Sequence, residues 1–188
     1  MSDRPLNGHR VLALVTNYGV EQDELLVPLK RLREDGADVT VAATSAEPIQ
    51  TLVGDKDLGE TVEPDATFDV VDPGDHQLLL LPGGTLNADQ LRLEEKALAL
   101  VKAFASSGRP IAAICHGPWA LVEADVVRGK TLTSYPSLRT DIRNAGDASW
   151  VDESVVTDIE GGYTLVTSRT PNDLDDFLNA VNKALVDS

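Results

Sequence analysis

Short, wholly apolar runs alternate with stretches of helical periodicity along most of this chain. Arg10 to Thr16 is a β-rich apolar run, and Asp38 to Ala43 and Gln77 to Leu81 are two more. Between the first two, Leu25, Leu26, Leu29 and Leu32 fall at the spacing of one helical face over Gln22 to Asp35, and Gly36 ends that helix. Leu93 to Ser107 predicts another helix. Pro110 to Ile114 predicts a buried strand, and Trp119 to Ala124 a helix after it. Thr131 to Ser134 is a short strand, and Ser137 to Ala145 is helical up to Gly146. Val151 to Val156 and Tyr163 to Thr167 suggest a hairpin through Glu160-Gly161-Gly162. Pro171 to Val186 closes the chain as a helix whose face is Leu174, Phe177, Leu178, Val181 and Leu185. Residues 44–76 are acidic and rich in Gly, Pro and Asp. They suggest loop with short edge strands among Ile49 to Leu52 and at Thr61-Val62. Strands that alternate with helices imply an α/β fold, a mostly parallel sheet covered by helices on both faces. No repeat or long linker divides the 188 residues, so one domain over residues 1–188 is expected.

Charge narrows the partners. Sixteen basic against 31 acidic residues give a net −15, which repels phosphate backbones and anionic lipid surfaces. Neither nucleic acid nor membrane is expected as a partner. No apolar run approaches the roughly 20 residues of a bilayer span. Met1 to His9 is polar and lacks the apolar segment of a secretory signal. One cysteine forbids an internal disulfide and suits a reducing cytoplasm.

That cysteine, Cys115, stands between the strand and Gly117-Pro118, which open the next helix. A strand-to-helix turn presents its central side chain above a sheet edge. Amides at a helix start favour thiolate, so the thiol is expected to titrate below its reference of about 8.5. The plain alternative is a small buried hydrophobe. His116 is either a proton partner of Cys115 or a polar residue of the turn. Gly83 and Gly84, after the third strand, allow close backbone approach; their amides, with those of His116 and Gly117, are candidate donors to an oxyanion. No Cys-x-x-Cys, His-Glu-x-x-His or phosphate-loop pattern occurs, and no metal or cofactor is expected.

In order, the chain carries Glu24-Leu25, Pro28-Leu29 and Arg31-Leu32, then Leu81-Pro82-Gly83-Gly84, then Ala113-Ile114-Cys115-His116-Gly117-Pro118. Thr133-Ser134-Tyr135-Pro136, Asn144-Ala145-Gly146, Trp150-Val151-Asp152 and Ser168-Arg169 follow. This ordered set resembles the PfpI-type branch of the ThiJ/PfpI, or DJ-one, superfamily. The resemblance implies a flavodoxin-like three-layer sandwich, akin to class I glutamine amidotransferases, and assembly into homo-oligomers. The amidotransferase activity itself is excluded, because its histidine lies well downstream of the cysteine. The histidines here are His9, His76 and His116.

The resemblance also implies Cys115 as nucleophile and Glu24 as the acid beside it; the alternative for Glu24 is a helix-start acid, a part that Glu21 and Asp23 could play equally well. It implies Asp89, in a Thr85 to Gln90 loop one residue longer than usual, as an acid supplied across a subunit interface to His116; the alternative is a cap on the following helix. Leu86 and Leu91 are the apolar side chains such an interface would bury. Tyr135 either lines the pocket or packs beneath it. The implied activities are those of intracellular peptidases and of deglycases or glyoxalases acting on small carbonyl or peptide substrates. A different class is a non-enzymatic stress sensor or chaperone that uses oxidation of Cys115.

Overall fold

The computed structural model describes residues 4–188, so Met1, Ser2 and Asp3 of the polar N-terminal stretch lie outside the described residues. In chain order the elements are β1 (Arg10–Leu14), β2 (Tyr18–Glu21), α1 (Gln22–Glu34), β3 (Asp38–Ala43), β4 (Ile49–Val53), β5 (Asp57–Val62), β6 (Ala66–Thr67) and β7 (Leu78–Leu81). They continue with α2 (Thr85–Leu91), α3 (Glu95–Ser106), β8 (Ile111–Ile114), α4 (Pro118–Glu123), β9 (Thr131–Leu132), α5 (Arg139–Asn144), β10 (Ser149–Trp150), β11 (Val155–Asp158), β12 (Leu165–Ser168) and α6 (Leu174–Val186).

The main sheet runs β11-β12-β8-β7-β1-β3-β6. It is parallel apart from the edge strand β11, which pairs antiparallel with β12. Because strand side chains alternate faces, an all-apolar strand serves two cores. Leu78 and Leu80 pack with α1 and α6, through Leu25, Leu29, Phe177 and Val181. Leu79 and Leu81 pack with α3 and α4, through Val101, Phe104 and Leu121. The β1, β3, β7 and β8 expectations hold within a residue or two of each end.

Several segments differ from the sequence expectation, among them β2 and β10, which no pattern announces. In residues 44–76 the expected edge strands are present and longer, as β4 and β5, and they form an antiparallel hairpin that joins β2 in a separate three-stranded sheet. The first part of β5 carries no signal in the sequence, since neither face of that strand is buried. Thr85 to Gln90 is a helix rather than a loop. Gly84 stands at its start with no side-chain cap, so no start signal marks it. Leu91, at the end of α2, is 1% exposed and belongs to the chain's own core, so it is not available to a partner. The hairpin strand β11 also begins four residues later than the pattern of Val151 to Val156 suggests.

A buried cation ties the far edge together. Lys130 is 1% exposed, and its Nζ lies 3.2 Å from Asp158 Oδ1 and 2.5 Å from the Tyr163 carbonyl; it also donates to the Glu160 carbonyl and sits over the Tyr163 ring. Asp158 in turn accepts the backbone N–H groups of Thr131 and Glu160 at 2.7 and 2.9 Å. This one ion pair therefore fixes β9 against the turn between β11 and β12. Among the described residues no helix is long and apolar enough to cross a membrane.

Candidate active site

Cys115 follows β8 directly and has a φ of +60°, the left-handed region that a non-glycine residue occupies at a cost of roughly 1–2 kcal/mol. Its backbone is held on both sides: its N–H donates to the Ser168 carbonyl at 3.0 Å, and its carbonyl accepts from Tyr135 N–H at 2.9 Å. The strand–turn–helix expected from the sequence is thus present, with the thiol at the C-terminal edge of the sheet.

The thiol is 6% exposed and faces His116, with Sγ 3.1 Å from Nδ1. Adjacent residues at a turn need not point together; here they do, because the His116 ring is sandwiched by its neighbours. Tyr135 stacks on it at 4.7 Å between centroids, and Trp119 meets it edge-on at 5.3 Å. Tyr135 accordingly lines the site. On its other side, His116 Nε2 lies 3.3 Å from Ser137 Oγ and 3.4 Å from Thr85 Oγ1.

Glu24 comes from the first turn of α1 and is fully buried. One carboxyl oxygen, Oε2, accepts the Gly83 N–H at 2.7 Å. The other, Oε1, has no partner in ordinary hydrogen-bond geometry, and the Cys115 thiol is the side chain that acts on the carboxyl most strongly. Burial pushes Glu24 from 4.5 up to about 8, against the lowering effect of Cys115 and Gly83 and with help from the charges of Glu21 and Asp55. At neutral pH Glu24 is therefore a neutral acid, able to donate to sulfur. Asp23 is exposed, and Glu21 uses both oxygens on the Gly54 and Asp55 amides, so neither takes this place.

The thiol does not follow the sequence expectation. Burial raises it, and an ionised Glu24 would raise it further; the amides of Gly84 and His116, directed at the sulfur, oppose this incompletely. The helix start is too weak to reverse the balance. α4 is six residues long, Pro118 has no N–H, and the Gly117 amide is spent on the Ile114 carbonyl at 2.9 Å. Burial also pulls His116 down, with the Asp55 charge opposing.

Of the glycine amides considered as oxyanion donors, Gly84 remains, together with His116. Gly83 is occupied by Glu24, and Gly117 by Ile114. Both glycines after β7 are required by space. A Cβ at Gly83 would stand 2.5 Å from Glu24 Oε2 and 2.8 Å from Cys115 Cβ; one at Gly84 would stand 2.3 Å from the Gly19 carbonyl.

Asp89 lies exposed on α2, does not cap α3, and is not among the His116 contacts within the chain. Within the chain, the acid whose charge acts on His116 is Asp55, at the turn between β4 and β5, with φ +58°. Its two oxygens accept Thr85 N–H and Thr85 Oγ1–H, each at 2.7 Å. Asp55, Thr85 and Ser137 are the residues that sequence reasoning missed. Asp55 falls in a Gly- and Asp-rich stretch without strand or helix periodicity, and nothing in its spacing connects it to Thr85.

A cavity of about 280 Å³ opens over the thiol, bordered by Glu21, Glu24, Asp55, Thr85, His116 and Tyr135. Neither lysine nor arginine lines it among the described residues.

Comparison with known proteins gives the family. The DJ-1/PfpI family pattern matches residues 9–184. A deglycase of Pyrococcus horikoshii is 42% identical over 165 residues, 88% of this chain and 92% of that one. Protein/nucleic acid deglycase 2 of Escherichia coli is 38% identical over 169 residues, 89% and 92% of the two chains. The crystal structure of Drosophila melanogaster DJ-1beta superposes with a TM-score of 0.82 at 30% identity, covering 96% of this chain and 91% of that one. Sequence and fold agree over nearly the whole length, and the chain belongs to the DJ-1/PfpI family.

Proposed function

We propose that this protein is a cysteine-dependent deglycase, which cleaves adducts of small dicarbonyls such as methylglyoxal from amino groups and works in the cytoplasm. The observation that carries the reading is the placement of one thiol between an imidazole nitrogen at 3.1 Å and a buried neutral carboxyl, at the floor of a small cavity. About 280 Å³ is at the low end for small-molecule sites and suits a three-carbon carbonyl on an amino-acid side chain better than an extended peptide. The deglycase names of relatives about 40% identical support the same class.

In this mechanism the resting thiol is protonated. Sγ displaces the amine at the adduct carbon that carries the nitrogen; the S–C bond forms as the C–N bond breaks, and the thiol proton passes through Nδ1 of His116 to the leaving amine. His116 then moves the proton on that carbon to its neighbour through an enediolate, whose oxygen accepts from Glu24 and from the Gly84 and His116 amides, and a thioester results with no outside oxidant. Water hydrolyses the thioester, releasing the hydroxy acid and restoring the thiol. No cofactor enters. We also take the working form to be a homo-oligomer. Leu86 on α2 and Tyr18 on β2 are about half exposed and border one shallow depression beside the site, with Asp89 on the same helix.

The test is a substrate panel: methylglyoxal-treated N-acetyl-lysine, free methylglyoxal and a fluorogenic peptide, each with wild type and Cys115→Ala. Adduct turnover should dominate and fall by about a thousandfold or more in the variant. Turnover that survives Cys115→Ala would refute the mechanism. Preference for the peptide would move the reading to a peptidase. Absence of any turnover, with Cys115 oxidised by peroxide, would move it to a redox sensor. Sedimentation with parallel assays tests the oligomer: a fully active monomer would end that part of the reading.

A further inference from the structure

The bonding pattern behind His116 has a direction. Asp55 is acceptor-only, and its oxygens hold both Thr85 N–H and Thr85 Oγ1–H at 2.7 Å. The Thr85 hydroxyl proton is therefore committed to Asp55, and what Thr85 turns toward the imidazole is a lone pair. Nε2 of His116, 3.4 Å away, must then be the donor, which leaves Nδ1 as a bare acceptor facing the Cys115 sulfur at 3.1 Å. Ser137, with a freely rotating hydroxyl, accepts from the same Nε2–H at 3.3 Å.

We infer that Asp55, acting through Thr85, fixes the tautomer of His116 and thereby makes His116 the acceptor of the Cys115 proton. Asp55 and Thr85 are positioning residues; neither needs to touch substrate. The acid behind the histidine is thus supplied by the same chain. Asp55 is itself held in place: both Glu21 oxygens accept from its loop, from Gly54 N–H at 3.0 Å and Asp55 N–H at 3.1 Å. When the proton leaves sulfur, the resulting imidazolium shares its positive charge toward the Asp55 carboxylate through the Thr85 hydroxyl, and the electron pair stays on sulfur. The other groups facing the ring are Tyr135, Trp119 and, beyond the sulfur, Glu24, which is neutral at pH 7. None of them dictates which ring nitrogen carries the proton.

The inference deepens the reading of Cys115 and His116 as the reacting pair, but its test needs no carbonyl substrate. In Asp55→Asn the amide oxygen keeps the Thr85 N–H, and the amide nitrogen now faces Thr85 Oγ1 as a donor. The Thr85 hydroxyl is released to donate to Nε2, and the ring proton moves to Nδ1, where it blocks transfer from sulfur. Imidazole ¹⁵N NMR near pH 7 should show an Nε2–H form for His116 in the wild type and an Nδ1–H form in Asp55→Asn, with the His9 and His76 signals as a check on folding. Alkylation of Cys115 by iodoacetamide should slow by about tenfold or more in the same variant. Thr85→Val should give a mixture of tautomers, because only Ser137 remains, and Thr85→Ser should restore the wild-type signal. An unchanged Nε2–H form in folded Asp55→Asn, or in Thr85→Val if Asp55→Asn does not fold, would overturn the inference. So would an Nδ1–H form in the wild type. Failure of the substrate panel would leave these readouts untouched.

Discussion

Glu24→Gln should make the protein more stable and less active. The buried carboxyl holds its proton up to about 8, whereas in the unfolded chain it releases the proton near 4.5. Between those two values the folded state binds more protons than the unfolded one, so stability falls as pH rises through the window. At pH 7 the difference corresponds to about 3 kcal/mol. Glutamine is a permanent copy of the protonated acid: its oxygen can keep the Gly83 N–H, and its amide can donate toward sulfur. The gain in Tm should be about 6–12 °C at pH 7. It should be larger at pH 8 and close to nothing near pH 4.5, where both side chains are neutral. Thermal melts at the three values check this. A gain independent of pH, or a loss, would show that Glu24 is not the buried acid described above. Turnover should fall because glutamine cannot lend a proton to the developing oxyanion.

Lys130→Met should have the opposite effect on the fold. The ammonium is buried against Asp158, two carbonyls and the Tyr163 ring. Removing one partner of a buried pair leaves the other uncompensated, at a cost of about 3–5 kcal/mol. Asp158 retains two backbone donors, which places the expected loss near the lower figure, about 3 kcal/mol, or a fall in Tm of about 6–12 °C. The carbonyls of Glu160 and Tyr163 have no such reserve. Urea titration gives the comparison directly. A loss below about 1 kcal/mol would place the pair with ordinary surface ion pairs and remove the assigned role in fixing the edge. The site should be spared, since Lys130 lies at the β9 edge and not against Cys115 or His116.

What the sequence disclosed followed a physical rule. Strands buried on both faces are unmistakable, as in Leu78 to Leu81, and so is an amphipathic helix with a clear end, as in Gln22 to Gly36. The turn at Cys115 was visible because a strand, a small residue pair and a helix meet there. The first part of β5 and the short α2 give no such signal; one has no buried face, and the other starts without a capping side chain. Within the site, Cys115, His116, Glu24 and Tyr135 could be named from local pattern and resemblance. Asp55 could not, because its meeting with Thr85 depends on how a second sheet folds over the first. The ionisation of Cys115 escapes the sequence for a related reason. Local sequence displays a helix start, but it does not display the burial that outweighs it.

The left-handed backbone at Cys115 also bears on how such a chain would change over generations. Glycine would sit at φ +60° without cost, so selection for folding alone favours replacing this residue, and only the chemistry of the thiol opposes the change. A duplicated copy released from its reaction should therefore lose its cysteine early, and gain robustness as it does so. Retention of cysteine at this position in a diverging lineage would then be a record of use, legible without an assay.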